Sequence, residues 1–203
     1  MIAAKKIKKI VITGAPSSGK SSIAQYLTDL NLPNILVVPE TARILLSAGF
    51  PIPTEPAHIF DFQKAVLSLQ KTLEYSIQQN HSPTLTHVIL DRGAIDGAVF
   101  WPHGMDHFFR TFHLDYEYEL SRYDHVIFPR LPDQDNFGKK DSLRFHTFEE
   151  SLEAEIKLQT LWSKHLSYTE IPAQKDFQKK IDAVIQTIIT QVEIDRATIT
   201  SAG

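Results

Sequence analysis

Cysteine is absent from the 203-residue chain, which excludes disulfides, thiol catalysis and any zinc or iron–sulfur centre built on thiolates. No apolar run approaches the ~18 residues that a membrane-spanning helix needs. Charge of one sign is lacking too. The 21 basic side chains stand against 24 acidic ones, a formal charge of −3 with His neutral. Such a balance argues against nucleic acid as a partner, because general nucleic-acid binding needs a basic surface. Internal repeats and low-complexity tracts are missing as well. The chain starts MIAAKKIKK and then has only a brief apolar stretch, residues 10–13. A secretory signal needs a longer apolar core and a small-residue cleavage site, so the expected location is cytoplasmic.

What is present is an ordinary globular composition, 42% hydrophobic and 22% charged, able to bury a real core. The length suits one domain with a small insertion, expected over residues 1–193, with a tail at 194–203. Short β-rich runs occupy residues 9–13, 35–38, 87–90, 125–128 and 168–171. They are near-continuously apolar, as parallel strands covered on both faces are. Helical periodicity fills residues 21–30, 56–79, 148–166 and 176–192. In the second of these, Ile59, Phe62, Val66, Leu69, Leu73 and Ile77 fall on one face. Strands alternating with helices predict an α/β fold with a mostly parallel sheet. In such sheets ligands sit outside the carboxyl ends of the strands.

After the first strand comes Gly14-Ala15-Pro16-Ser17-Ser18-Gly19-Lys20-Ser21, then Ser22. This is G-x-x-x-x-G-K-[ST], a phosphate-binding loop. With average residue usage, a chance match in a chain of this size is about a one-in-a-hundred event. The glycines let successive N–H groups curl inward as an anion nest. The next helix turns its positive N-terminus to the phosphates. Lys20 supplies a cation to the β/γ-phosphates, and the Ser21 hydroxyl can ligate Mg²⁺.

The ends of the other strands carry the remaining candidates. Asp91 closes the third strand, where a carboxylate orients the Mg²⁺ shell through water. Arg92 follows, with two readings: a group that meets charge on the transferred phosphoryl, or a structural ion pair. The second strand leads into Glu40 and, one turn on, Arg43. Glu40 could accept a proton from an acceptor hydroxyl, or simply be the charged first turn of a helix. An irregular stretch, residues 131–144, carries Lys139, Lys140 and Arg144. It reads as a lid over about 130–147, or as a solvated loop. Its Gly138-Lys139-Lys140-Asp141 lacks the Asn of a guanine-reading element, which favours ATP over GTP. Gln63 and Gln70 flank the long helix where they could line an acceptor pocket. His103, His107 and His113, with Asp106 between them, fit no zinc spacing well and lie in an aromatic-rich segment.

Together VITGAPSSGKSS, VVPETAR, VILDRGAIDG and the polar stretch ending near Arg144 resemble the small P-loop NTPases grouped as an "AAA domain" ATPase family. These are close to the ribosylnicotinamide-kinase domain of NAD regulators and to nucleoside and nucleotide kinases. The resemblance implies a five-stranded parallel sheet in nucleotide-kinase-like order, an α/β/α sandwich, with a lid over the phosphates. It also implies Lys20 and Ser21 on phosphates and Mg²⁺, and Asp91 on the metal side. Glu40, Arg43 and Arg92 would face the acceptor, with Asp96 of D-R-G-x-x-D shaping that pocket. Motor-type AAA+ proteins carry an Asp-Glu pair after the third strand; here Asp91 is followed by Arg92, which fits a small-molecule kinase better. The expected function is transfer of the ATP γ-phosphoryl group to a small-molecule acceptor, nucleoside- or nucleotide-like among the candidates, by a monomer or homodimer. The alternative is a regulatory NTPase that hydrolyses slowly and switches a partner interaction.

Overall fold

The computed structural model describes residues 7–137 and 147–191. The five β-rich runs become β1 (Lys8–Ile12), β2 (Ile35–Val38), β3 (His87–Asp91), β4 (His125–Pro129) and β5 (Tyr168–Ile171). Helices α1 (Lys20–Asp29), α2 (Thr41–Ser47), α3 (Pro56–Asn80), α4 (Met105–Thr111), α5 (Tyr116–Ser121), α6 (Phe148–Trp162) and α7 (Phe177–Gln191) connect or follow them. The sheet order is β2-β3-β1-β4-β5, and every pairing is parallel.

Alternation along the strands divides the core in two. Ile10, Ile12, Ile89 and Ile127 face Ile23 and Leu27 of α1 and Ile181, Val184 and Ile188 of α7. Val11, Val88, Leu90, Val126 and Phe128 face the other way, onto Leu120 of α5 and Ala154, Leu158, Leu161 and Trp162 of α6. A sheet covered on both faces explains the unbroken apolar runs in β3 and β4, where every residue is buried. Each such aliphatic side chain contributes about 1.5–3 kcal/mol. With β1 central, Ile12 pairs with Asp91 on one side and Ile127 on the other. The segments leaving β1, β3 and β4 therefore emerge side by side at one edge.

Three expectations are adjusted. Helix α6 stops at Trp162 rather than 166; Leu166 is fully exposed, so its apolar character extends no buried stripe. Helices α2, α4 and α5 have too few turns to show a period, although Asp115 caps α5 by accepting from the Tyr118 amide at 2.7 Å. On α3 the deepest line is not purely the apolar one. Gln63, Leu67, Gln70 and Glu74 are buried, while Ile59, Val66, Leu69, Leu73 and Ile77 are only partly so. The polar residues go inward because α3 lies along the ligand edge and has polar partners there. Among the described residues no helix is long and apolar enough to cross a membrane.

His125, at the far end of β4, ties β4 to the segment around β5. Its Nδ1 lies 2.5 Å from Ser167 Oγ and its Nε2 3.1 Å from Thr169 Oγ1. Burial, with His165 nearby, pushes its pKa below the usual value of 6.5. A depressed folded pKa gives stability that is present above the unfolded pKa and lost as pH falls through the folded one. The urea midpoint should therefore drop between about pH 7.5 and about pH 5.5, and His125→Gln should flatten that drop. An unchanged pH slope in the variant would exclude His125 as its source.

Candidate functional site

Residues 14–21 form a tight turn between β1 and α1. Gly19 adopts φ 92°, and a Cβ there would lie 2.9 Å from the Phe177 ring, so only glycine fits. Ser17 also takes a left-handed φ of 66°. Lys20 is buried, with Nζ donating to the Ala15 carbonyl at 2.6 Å and to Ser18 Oγ at 3.3 Å. Burial, then the Arg92 charge, lowers its pKa from 10.5 to about 7, against the pull of Asp91, Glu40 and Asp96. The loop residues Gly14, Ala15, Pro16, Ser17, Ser18, Gly19, Lys20 and Ser21 thus lie together, whereas Ser22 is exposed along a groove beside α1.

Asp91 ends β3 next to this loop, with the Ser21 hydroxyl beside its carboxylate. Burial raises its pKa, helped by the Glu40 charge and opposed by Lys20 and Arg92. Its Oδ1 is buried and has no hydrogen-bond partner. An orphaned carboxylate oxygen beside a hydroxyl is a donor set that fits Mg²⁺. That ion takes oxygen ligands, often only one or two from protein, with water and phosphate filling the rest.

Arg92 is a hub. Its backbone takes a left-handed φ of 77°, a strained conformation for a non-glycine residue. Nε donates to Glu40 Oε1 at 2.7 Å, and NH1 to Asp96 Oδ2 at 3.1 Å and the Gly14 carbonyl at 3.2 Å. Burial opposes its charge, but Glu40, Asp96 and Asp91 outweigh burial and keep the guanidinium protonated. Burial would likewise raise the pKa of Glu40, but Arg92 and Lys20 overcome it and hold the carboxylate below its usual value. Glu40 stands at the N-cap position of α2, and Arg43 follows on the same helix. Arg43 makes no ion pair or hydrogen bond with the described residues, and its charge helps keep Glu40 ionised.

Asp96 is buried behind this pair. Besides Arg92 it accepts from Thr13 Oγ1 at 2.7 Å and from Trp162 Nε1 at 2.8 Å. It anchors Arg92 and does not itself line the cavity that opens beside the phosphate loop. A second brace supports the same turn from α3. Gln70 Nε2 donates to the Arg92 carbonyl at 3.4 Å and to Glu74 Oε1 at 3.1 Å. Tyr123 OH donates to Glu74 and accepts from the Ala94 amide at 2.9 Å.

A cavity of about 470 Å³ opens beside the phosphate loop. Lys20, Glu40, Arg43, Gln63 and Arg92 supply its polar wall, and Leu46, Ile52, Ile59, Phe62 and Phe100 its apolar one. Of this wall, sequence reasoning singled out Glu40, Arg43, Gln63, Lys20 and Arg92 but missed Leu46 and residues 52–53, which no periodic pattern marks. It also missed Trp162, Thr13 and Lys180, whose Nζ meets the loop carbonyl of Ser18. Lys180 had a visible signal, a lysine on the apolar stripe of its helix. Lys139, Lys140 and Arg144 fall outside the described residues, as does the Gly138–Asp141 run. His107 Nδ1 accepts from the Trp101 indole at 2.9 Å and lies 3.0 Å from Thr111 Oγ1, so this histidine is engaged within its aromatic cluster.

Known proteins share this architecture. The deoxyadenosine kinase of M. mycoides with bound dATP superposes with a TM-score of 0.54 at 15% identity, over 90% of this chain and 100% of that one. The NadR protein in complex with NR gives 0.61 at 14% identity, over 93% of this chain and 50% of that one. NadR with NAD and AMP-PNP gives 0.55 at 18%, over 94% and 51%. The chain thus spans all of the kinase and about half the length of NadR, and at these identities the likeness is one of fold. No curated protein matches the sequence. The family model described as "AAA domain" matches residues 9–180, and the chain, with its P-loop NTPase fold of nucleoside-kinase-like form, belongs to that family.

Proposed function

We propose that this protein is an Mg-ATP-dependent kinase that phosphorylates a hydroxyl of a small, nucleoside-like acceptor. The carrying observation is the cavity, which adjoins Lys20 and is bounded by Glu40, Arg43 and Arg92. Its volume lies within the range of small-molecule sites. The apolar wall suits a flat, largely uncharged body. Gln63 offers that body an amide edge. A Cβ at Gly97 would come within 2.3 Å of Gln63 Oε1, so the glycine leaves this amide its room. The fold's likeness to a deoxyadenosine kinase and to NadR bound to NR supports a nucleoside-like acceptor. A neutral hydroxyl suits the acceptor side better than a phosphate, because the Arg92 guanidinium there is already engaged by Glu40 and Asp96.

In this reading the amides of residues 14–20 and the Lys20 ammonium hold the ATP phosphates. Ser21 and Asp91 would hold Mg²⁺, which when bound neutralises charge on the phosphate oxygens. Glu40, ionised and pinned by Arg92, orients the acceptor hydroxyl and takes its proton. The paired Arg92 guanidinium and the Arg43 guanidinium on the cavity wall face charge that develops on the transferred group.

The test is incubation with Mg-ATP and a panel of nucleosides and related metabolites. Acceptor-dependent ADP formation is expected. Slow turnover indifferent to every acceptor would instead support a hydrolytic, regulatory NTPase. With the acceptor in hand, Glu40→Gln should lower kcat by about 10²–10⁴-fold while ATP affinity changes little. Equal losses in both would remove Glu40 as the base.

A further inference from the structure

Helix α7 lays Ile181, Val184 and Ile188 against the sheet, and Lys180 stands on the same stripe. The residue is 3% exposed. Burying an ammonium group is costly unless its protons are matched, so its partners carry information. Its hydrogen-bond acceptors among the described residues are backbone carbonyls, Ser18 O at 3.2 Å and Arg130 O at 2.9 Å. The first belongs to the phosphate loop. The second is the residue that follows β4, where the irregular stretch departs. Arg130 is itself fixed, to Glu155 at 3.1 Å and to Glu170 at 2.8 Å. One turn before Lys180, the Phe177 ring packs against Gly19 of the same loop.

An anion nest needs its N–H groups converging, and a buried loop carbonyl that does not join them needs a donor of its own. Lys20 Nζ donates to Ala15 O and Ser18 Oγ, and it is Lys180 Nζ that donates to Ser18 O. We propose that Lys180 is a positioning residue that locks the phosphate loop in its anion-binding shape by holding the Ser18 carbonyl and tying it to the fixed strand end at Arg130. This rests on the reading that the loop binds phosphates. Lys180 touches neither nucleotide nor acceptor; it acts through the loop backbone.

Calorimetric binding of ATP and of inorganic tripolyphosphate, alongside thermal melting, tests it without any acceptor. Lys180→Met keeps the length and apolar stem but removes the donors. It should weaken both ligands by about tenfold or more and by similar factors, since the loss lies in the phosphate cradle. Lys180→Arg restores donors and should recover most of the affinity. A lower melting temperature with wild-type affinities in Lys180→Met, or no rescue by Lys180→Arg, overturns the proposal. Should Lys180→Met fail to fold, Lys180→Leu, which also lacks a donor, takes its place with the same two outcomes. If wild-type protein binds neither ligand, the phosphate-loop reading itself falls, and that result is visible before any variant is made.

Discussion

Lys20→Ala should lower ATP affinity by about 100-fold or more, leaving a weak residual binding. The reason is the cost already built into this side chain. Its ammonium is withdrawn from water, repelled by Arg92, and held near a pKa of about 7. Only loop oxygens and nearby carboxylates keep it in place. A triphosphate supplies the counter-charge that such a buried cation lacks. The sign of the pH effect follows. In the free protein the amine is largely neutral above pH ~7, and bound phosphate raises its pKa, so binding takes up a proton. ATP affinity should fall as pH rises from about 7 towards about 10, and this slope should vanish in Lys20→Ala. Calorimetry in buffers of different ionisation enthalpy reads both. A variant that binds ATP as the wild type does would refute the assignment of this loop.

What the sequence disclosed follows its physics. Strands buried on both faces write themselves as apolar runs, so the inner strands were readable and the edge strand β5, YTEI and only partly buried, gave a weaker signal; the loop whose chemistry forces glycine, lysine and serine into fixed spacing was readable too. The parallel order could be expected from the alternation of elements. Asp91, Glu40 and Arg92 stood out because each follows a strand on the ligand edge. What stayed hidden has no local pattern. Helix α2 is too short for a period, so Leu46 on the cavity wall was not readable, although Arg43 of the same helix was. The inward line of Gln63, Gln70 and Glu74 looks polar, and polarity is normally read as outward. Trp162, far along the chain, meets Asp96 only through the tertiary fold. The resemblance implies that Asp96 shapes the acceptor pocket; its carboxylate is buried behind the cavity wall, where it accepts from Arg92 NH1.

That position makes Asp96→Ala the most damaging substitution expected away from the phosphate loop. The carboxylate is 3% exposed and satisfies three donors at once: Thr13 Oγ1, Trp162 Nε1 and Arg92 NH1. Truncation strands an indole N–H and a hydroxyl in the core and leaves a buried guanidinium with one carboxylate contact fewer. Breaking a buried ion pair from one side costs about 3–5 kcal/mol. For a chain of this size that corresponds to a fall of roughly 10 °C in melting temperature. Activity should fall as well. Arg92 would keep Glu40 but lose the contact that opposes it, and the pair could shift together out of line with the acceptor. Asp96→Asn separates the two roles. Its amide oxygen still accepts a hydrogen bond, so much of the stability should return, while the charge that balances Arg92 does not. Urea denaturation of the two variants, followed by kcat and KM on the identified acceptor, gives the comparison. An Asp96→Ala protein that unfolds at the wild-type midpoint would mean that the carboxylate holds none of its three partners in solution.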